Sequence, residues 1–223
     1  MSTLEYRERP AAGDPAGLLV LHHGRGADEH DLLGLADALD PQRRLHVATP
    51  RAPLAIGGGH HWYVVPRVGY PDHDTFQAAF DKLSTFHDEL WERTGITPER
   101  TVFGGFSMGS VMSYALGLAG ERPQPAGILA FSGFIPTVDG WQPDPASRPD
   151  LPVFIAHGRR DPIMEVRFAR QAHSFLQAGG LAVDYHESDA GHDIDPAHLL
   201  AAVEWLAAAI PSNPRAARAP EGR

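Results

Sequence analysis

The stretch Thr101–Tyr114, TVFGGFSMGSVMSY, leaves this chain fewer structural options than any other. A short β-branched and aromatic run, Thr101-Val102-Phe103, enters Gly104-Gly105. Ser107 then stands between Gly105 and Gly109, and a helical pattern follows. This is Gly-x-Ser-x-Gly between a strand and a helix, the arrangement that lifts a serine hydroxyl onto a sharp turn. Such a turn strains the serine backbone, and the residues two before and two after it must be small for strand and helix to approach. The plainer reading of the same residues is a glycine-rich turn with a serine N-cap. What else the chain supplies decides between them.

At 223 residues the chain suits one domain, expected over 1–210, with Pro211–Arg223 (PSNPRAARAPEGR) a disordered tail lacking core-forming residues. Hydrophobic residues at 43% and charged ones at 21% fit a globular chain with a sizeable core. The formal charge of −9 argues against nucleic-acid partners and stable association with anionic membranes. There are no cysteines, which removes disulfides, thiolate metal sites and a cysteine nucleophile. The N-terminus is too polar for a signal peptide, and no apolar run approaches membrane-spanning length, so the expected location is the cytoplasm.

Apolar runs at Leu18–His23, Leu45–Thr49, Thr101–Phe106, Ala126–Ser132, Val153–His157 and Ala182–Glu187 read as strands, and Leu4–Arg9 as a short edge strand. Helical patterns separate them, over His30–Leu39, from Asp74 to Gly95, after Ser107 to about Gly120, over Met164–Ala178, and after Asp195-Pro196. Asp74 with Gln77 resembles a capping box. The segment 51–74 reads as a long irregular loop. Strands alternating with helices predict an α/β fold, a mostly parallel sheet covered on both faces. Ligands of such sheets bind at the carboxyl ends of the strands.

Three of those ends carry complementary chemistry. Ser107 follows one strand, Asp161 follows another in His157-Gly158-Arg159-Arg160-Asp161, and His192 follows the last in Gly191-His192-Asp193. A serine hydroxyl becomes a nucleophile when an imidazole takes its proton, and a carboxylate holds that imidazole in the right tautomer. Alone, Asp161 reads as a helix cap and His192 as a turn residue. Together, in the order Ser…Asp…His, they match the arrangement of an α/β-hydrolase. The turn His23-Gly24-Arg25-Gly26, after the first buried strand, can aim the Arg25 N–H at the nucleophile, and the Met108 N–H would complete an oxyanion hole.

These motifs resemble the carboxylesterase/phospholipase/acyl-protein thioesterase family of α/β-hydrolases. The shared features are His23-Gly24-x-Gly26, Gly105-Phe106-Ser107-Met108-Gly109, His157-Gly158-x-x-Asp161 and Gly191-His192, in register from about Leu18 to Ile210. The resemblance implies an α/β-hydrolase fold with minimal or no lid, and serine-dependent hydrolysis of carboxylic esters or thioesters without a cofactor. Members usually carry an apolar residue at the position of Arg25 and often Gln at that of Met108. Both positions act through backbone N–H groups, while the Arg25 side chain, bordering the acyl pocket, points to a polar or anionic acyl group.

Trp62, Tyr63, Phe134, Trp141 and Ile163 are candidates for the substrate wall, with Ile135 beside them. The loop Gly133–Pro149 is short for a folded lid, which favours small or soluble esters. The thirteen histidines show no His-Glu-x-x-His spacing, and no metal site is expected. Gly57-Gly58-Gly59 lacks the lysine and helix start of a phosphate loop. The reading is a serine carboxylesterase taking a small-molecule ester. An S-acyl thioesterase or lysophospholipase would use the same residues, and a hydrolase-fold protein that only binds is the reading from another class. A homodimer stays open. Activity is expected to fall on the acid side of neutrality as His192 gains a proton.

Overall fold

The structure is a computed structural model in which residues 4–211 are described. Of the expected tail, all but Pro211 lies outside the described residues.

Its centre is β2 (Gly17–His22) beside β6 (Thr101–Phe106), two strands buried along nearly their whole length. Side chains alternate along a strand, so two apolar faces require helices on both sides. Leu18 and Val20 of β2 join a core packed under α2 (His73–Thr94), α3 (Met108–Gly117) and α4 (Arg167–Ala178), whereas Leu19 and Leu21 face α1 (Leu33–Leu39) and α5 (Leu199–Ala209).

From β2 the chain moves to β3 (Leu45–Pro50), whose outer side takes β1 (Tyr6–Arg9) as the antiparallel edge. It then returns through α2 to the other side of β2 and continues outward as β6, β7 (Gly127–Phe131), β8 (Val153–Gly158) and β9 (Val183–Ser188), all parallel. The sheet order is β1-β3-β2-β6-β7-β8-β9. The direction of travel reverses between β2 and β6, and such a switch point opens a crevice at the carboxyl ends of the two strands. The turn after β2 and the serine after β6 therefore meet there.

Several expectations change in detail. Residues 54–61 are not irregular: β4 (Leu54–Ile56) and β5 (Gly59–His61) form a hairpin. Gly57 and Gly58, at φ 54° and 92°, are its two-residue turn, a geometry that requires positive φ twice. The strands are three residues each, too short for a period-two pattern to register. The α2 cap is Asp72 rather than Asp74, and its carboxylate accepts from the Thr75 N–H at 3.0 Å. Gly95 closes α2 at φ 67°, as expected of a left-handed C-cap. α1 starts three residues later than His30, α3 ends at Gly117, and Asp195 opens a 3₁₀ turn before α5. Between β7 and β8 the chain forms one short 3₁₀ turn, Pro145–Ser147, and no inserted lid. None of the described helices is long and apolar enough to cross a membrane.

Candidate active site

Ser107 sits at φ 56°, ψ −120°, a conformation that a side chain bearing a Cβ rarely adopts. The surroundings impose it. A Cβ on Gly109 would fall 1.8 Å from the His22 carbonyl oxygen, and one on Gly105 would fall 2.5 Å from the Gly109 carbonyl carbon. Only glycine lets α3 lie this close to β2 and β6. The Ser107 N–H donates to the Phe131 carbonyl at 2.9 Å, tying the elbow to β7. The Ser110 hydroxyl lies 2.6 and 2.7 Å from the Gly105 and Phe131 carbonyls and holds the same corner from inside.

The elbow brings Ser107 to His192. The Ser107 Oγ and His192 Nε2 are 2.9 Å apart, and His192 Nδ1 lies 2.6 Å from Asp161 Oδ2. A carboxylate only accepts, so Nδ1 carries the proton, Nε2 is the acceptor, and the serine hydroxyl donates to it. The other oxygen of Asp161 accepts from the Ile163 and Met164 N–H groups at 2.8 and 2.7 Å. His157 braces that turn: its Nε2 lies 2.7 Å from the Met164 carbonyl and 3.3 Å from Asp161 Oδ2. Burial pushes the His157 pKa down, so the ring is a neutral donor beside Asp161 rather than a competing cation. Phe106, its ring centroid 5.0 Å from that of His192, supports the imidazole from below.

The Gly24–Ala27 turn faces the elbow. A Cβ on Gly24 would lie 3.5 Å from the Ser107 Cβ, so the two backbones are in near contact. Three neighbours hold the turn. The Gly26 N–H donates to the His60 carbonyl (2.7 Å) and the His60 N–H to the Ala27 carbonyl (2.8 Å), joining it to β5. Trp62 Nε1 donates to the His23 carbonyl at 2.9 Å. His23 lies with Nδ1 2.7 Å from the Gly24 carbonyl and receives the Ala52 N–H at Nε2 (3.0 Å). Neither the Arg25 N–H nor the Met108 N–H donates to another group among the described residues. Both residues line the same cleft as Ser107, so their N–H groups are the candidates for an oxyanion hole.

A cleft of about 800 Å³ opens over these groups. Ser107, Met108, His192, Gly24 and Arg25 form its floor. Tyr63, Phe134 and Ile163, expected on the wall, line it, together with Val64, Val65, Val68 and Met164. Trp62 does not line it: the ring is fully buried and serves the His23 backbone instead. Trp141 is also displaced from the cleft. With Ile135 it lines a separate cavity of about 310 Å³, and Phe134 lines both. The valines and His61 escaped sequence reading, and the only signal for them was the unusual length of the 51–74 connection; Asp31, in the connection between β2 and α1, had none.

Elsewhere, Asp28, Glu29 and His30 bring their possible ligand atoms within 4.8 Å of one another. Glu29 is already gripped by Arg51 at 2.5 and 2.6 Å, which lowers its pKa to about 2, and Asp28 accepts from His30. These bonds explain the cluster without an ion.

A doubly covered parallel sheet, a strained serine elbow at its switch point and a histidine and carboxylate from the next strand ends define an α/β-hydrolase. A match to the phospholipase/carboxylesterase family model spans residues 9–210, and the chain belongs to that family of hydrolases. It is 27% identical over 198 residues to the putative hydrolase MhqD of Bacillus subtilis (strain 168), covering 89% of this chain and 96% of that one. It is 29% identical over 215 residues to acyl-protein thioesterase 1 of Gibberella zeae, covering 85% and 89%. Among solved structures, the Bacillus cereus carboxylesterase superposes with a TM-score of 0.81 at 23% identity, over 93% of this chain and 95% of that one, a likeness of fold.

Proposed function

We propose that this hydrolase is a serine carboxylesterase working through an acyl-enzyme. The observation that carries the reading is the unbroken chain Ser107 Oγ–His192–Asp161 at 2.9 and 2.6 Å on the floor of an open cleft. Ser107 Oγ attacks the ester carbonyl carbon as its proton passes to His192 Nε2. The carbonyl oxygen gains the negative charge and is met by the Arg25 and Met108 N–H groups, a contribution on the order of 10²–10³ in kcat per donor. His192 returns the proton to the departing alcohol oxygen. Water, deprotonated by the same nitrogen, then attacks the acyl-enzyme and releases the acid with Ser107 restored. Asp161 keeps Nδ1 protonated throughout and stabilises the imidazolium. No cofactor enters these steps.

A fluorophosphonate probe tests the reading. Labelling of the wild type at Ser107, with labelling and ester hydrolysis both lost in Ser107→Ala, supports it; hydrolysis that survives in Ser107→Ala overturns Ser107 as the nucleophile, and a wild type that neither labels nor hydrolyses overturns the enzyme reading in favour of a protein that only binds. The acyl-protein thioesterase relatives favour a second reading, thioester hydrolysis by the same residues. Matched oxygen and thiol esters of one acid, compared by kcat/KM, separate the two.

A further inference from the structure

The cleft lining does not suit a wholly apolar acyl chain throughout. Val64, Val65, Val68, Phe134 and Ile163 make an apolar wall, but Arg25 and His61 stand in the same lining. Arg25 is exposed and has no hydrogen bond or ion pair among the described residues. That is unusual here, because the acidic surface engages most other arginines: Arg51 with Glu29, Arg93 with Glu8, Arg122 with Asp88, Arg159 with Asp189, Arg170 with Glu187. Asp31, the one carboxylate among the described lining residues, does not pair with it. His61 sits close enough to feel the guanidinium, which, after burial, holds its pKa down and keeps the ring uncharged.

The placement follows from the backbone. Arg25 belongs to the turn clamped by β5, so its Cα cannot drift from Ser107, and its side chain starts beside the carbonyl being attacked. The alcohol oxygen must leave from beside His192 Nε2. The part of the lining that carries Arg25 and His61 is then left to the acyl group, which stays on Ser107 after the alcohol departs. An anion approaching a chain of formal charge −9 meets general repulsion. A guanidinium with no partner among the described residues offsets this locally.

We propose that Arg25 is an acyl-side anion receptor, and that the substrates are esters whose acyl group ends in a free carboxylate, the half-esters of short dicarboxylic acids. The inference rests on the serine esterase reading and narrows it. The carboxylate accepts from the guanidinium, with His61 beside it, while the methylenes run along Val64, Val68 and Phe134. Because Arg25 is solvent-exposed, the discrimination is modest, about five- to tenfold in kcat/KM.

The test compares 4-nitrophenyl hydrogen adipate with 4-nitrophenyl hexanoate, esters of equal chain length with and without the terminal carboxylate. A third ester carries its carboxylate on the phenol instead. The quantity read is the ratio of kcat/KM, adipate to hexanoate, in wild type, Arg25→Gln and Arg25→Lys. Any disturbance of the oxyanion turn by the substitution cancels in that ratio. The expected result is a ratio reduced at least about fivefold in Arg25→Gln and largely kept in Arg25→Lys. An unchanged ratio in Arg25→Gln, an equal loss in Arg25→Lys, or a wild-type preference confined to the phenol carboxylate overturns the proposal. Hexanoate hydrolysis in Ser107→Ala separately reports on the esterase reading, so the two fail in different assays.

Discussion

At the scale of single residues, the site depends on which atoms carry protons. Asp161 divides its oxygens, one for the Ile163 and Met164 N–H groups and one for His192 Nδ1. Asp161→Asn keeps an acceptor for the two backbone donors but turns an amide NH₂ toward Nδ1. His192 then protonates at Nε2 and can no longer accept from Ser107. The expected loss in kcat is on the order of 10⁴, with the thermal midpoint little changed. Steady-state kinetics with a melting curve checks both halves, and a loss under tenfold would count against Asp161 as the orienting group. Ser107 itself was legible in the sequence because its glycines are local necessities. Trp62 and Trp141 were not, because an aromatic residue near a site in sequence can serve a backbone carbonyl or line a neighbouring cavity as readily as the site's own wall.

At the scale of elements, the β4–β5 hairpin matters more than its six strand residues suggest. It is the only strand pair outside the main sheet among the described residues, and its β5 backbone clamps the Gly24–Ala27 turn beside Ser107. Gly59 permits the contact: a Cβ there would fall 1.9 Å from the Gly26 carbonyl oxygen. Gly59→Ala should push hairpin and turn apart, lowering kcat by about 10- to 100-fold with a smaller effect on KM, because the misplaced donor is needed most in the transition state. An unaltered kcat in a folded variant would show that the clamp is dispensable. α2 offers a stability test. Asp72→Ala removes the side chain that accepts from Thr75 and should lower the thermal midpoint by about 2–4 °C, whereas Asp74→Ala, at an exposed side chain without a capping bond, should leave it unchanged. Gln77 made Asp74 the better match in the sequence; backbone φ/ψ at the helix start decides which aspartate caps.

Across the whole molecule, the side of the sheet that carries the serine elbow buries ionisable groups. His22 and His87 are fully buried beneath α3, their Nε2 atoms 3.3 Å apart, with His22 Nδ1 2.9 Å from Ser113 Oγ and His87 stacked on Phe103. Burial pushes the His22 pKa down to about 3 and that of His87 well below its usual value. Both rings are neutral when folded and take a proton once exposed, so unfolding binds protons on the acid side. Stability is complete above about pH 6.5 and drains as the pH falls toward the depressed values, by about 1.4 kcal/mol per pH unit for each ring. Urea midpoints measured from pH 7 to pH 5 should decline, and His87→Phe, which keeps the stack on Phe103, should flatten that decline. An identical slope in the variant would show that His87 is not a source of the acid sensitivity.

Much of this protein was determined by sequence alone, because the forces concerned act over a few residues. Apolar runs that alternate across a strand announce a sheet covered on two faces, and Gly105 and Gly109 are demanded by contacts within the elbow. The order of Ser107, Asp161 and His192 at strand ends was likewise readable, since a parallel sheet sends all those ends to one side. Tertiary structure alone decided what lies across the cleft. Distances between Ser107, His192 and Asp161, the clamp of β5 on Gly26, the withdrawal of Trp62 and Trp141, and the placement of Arg25 in one cleft with His61 are set by packing between segments far apart in the chain. No local pattern encodes such contacts.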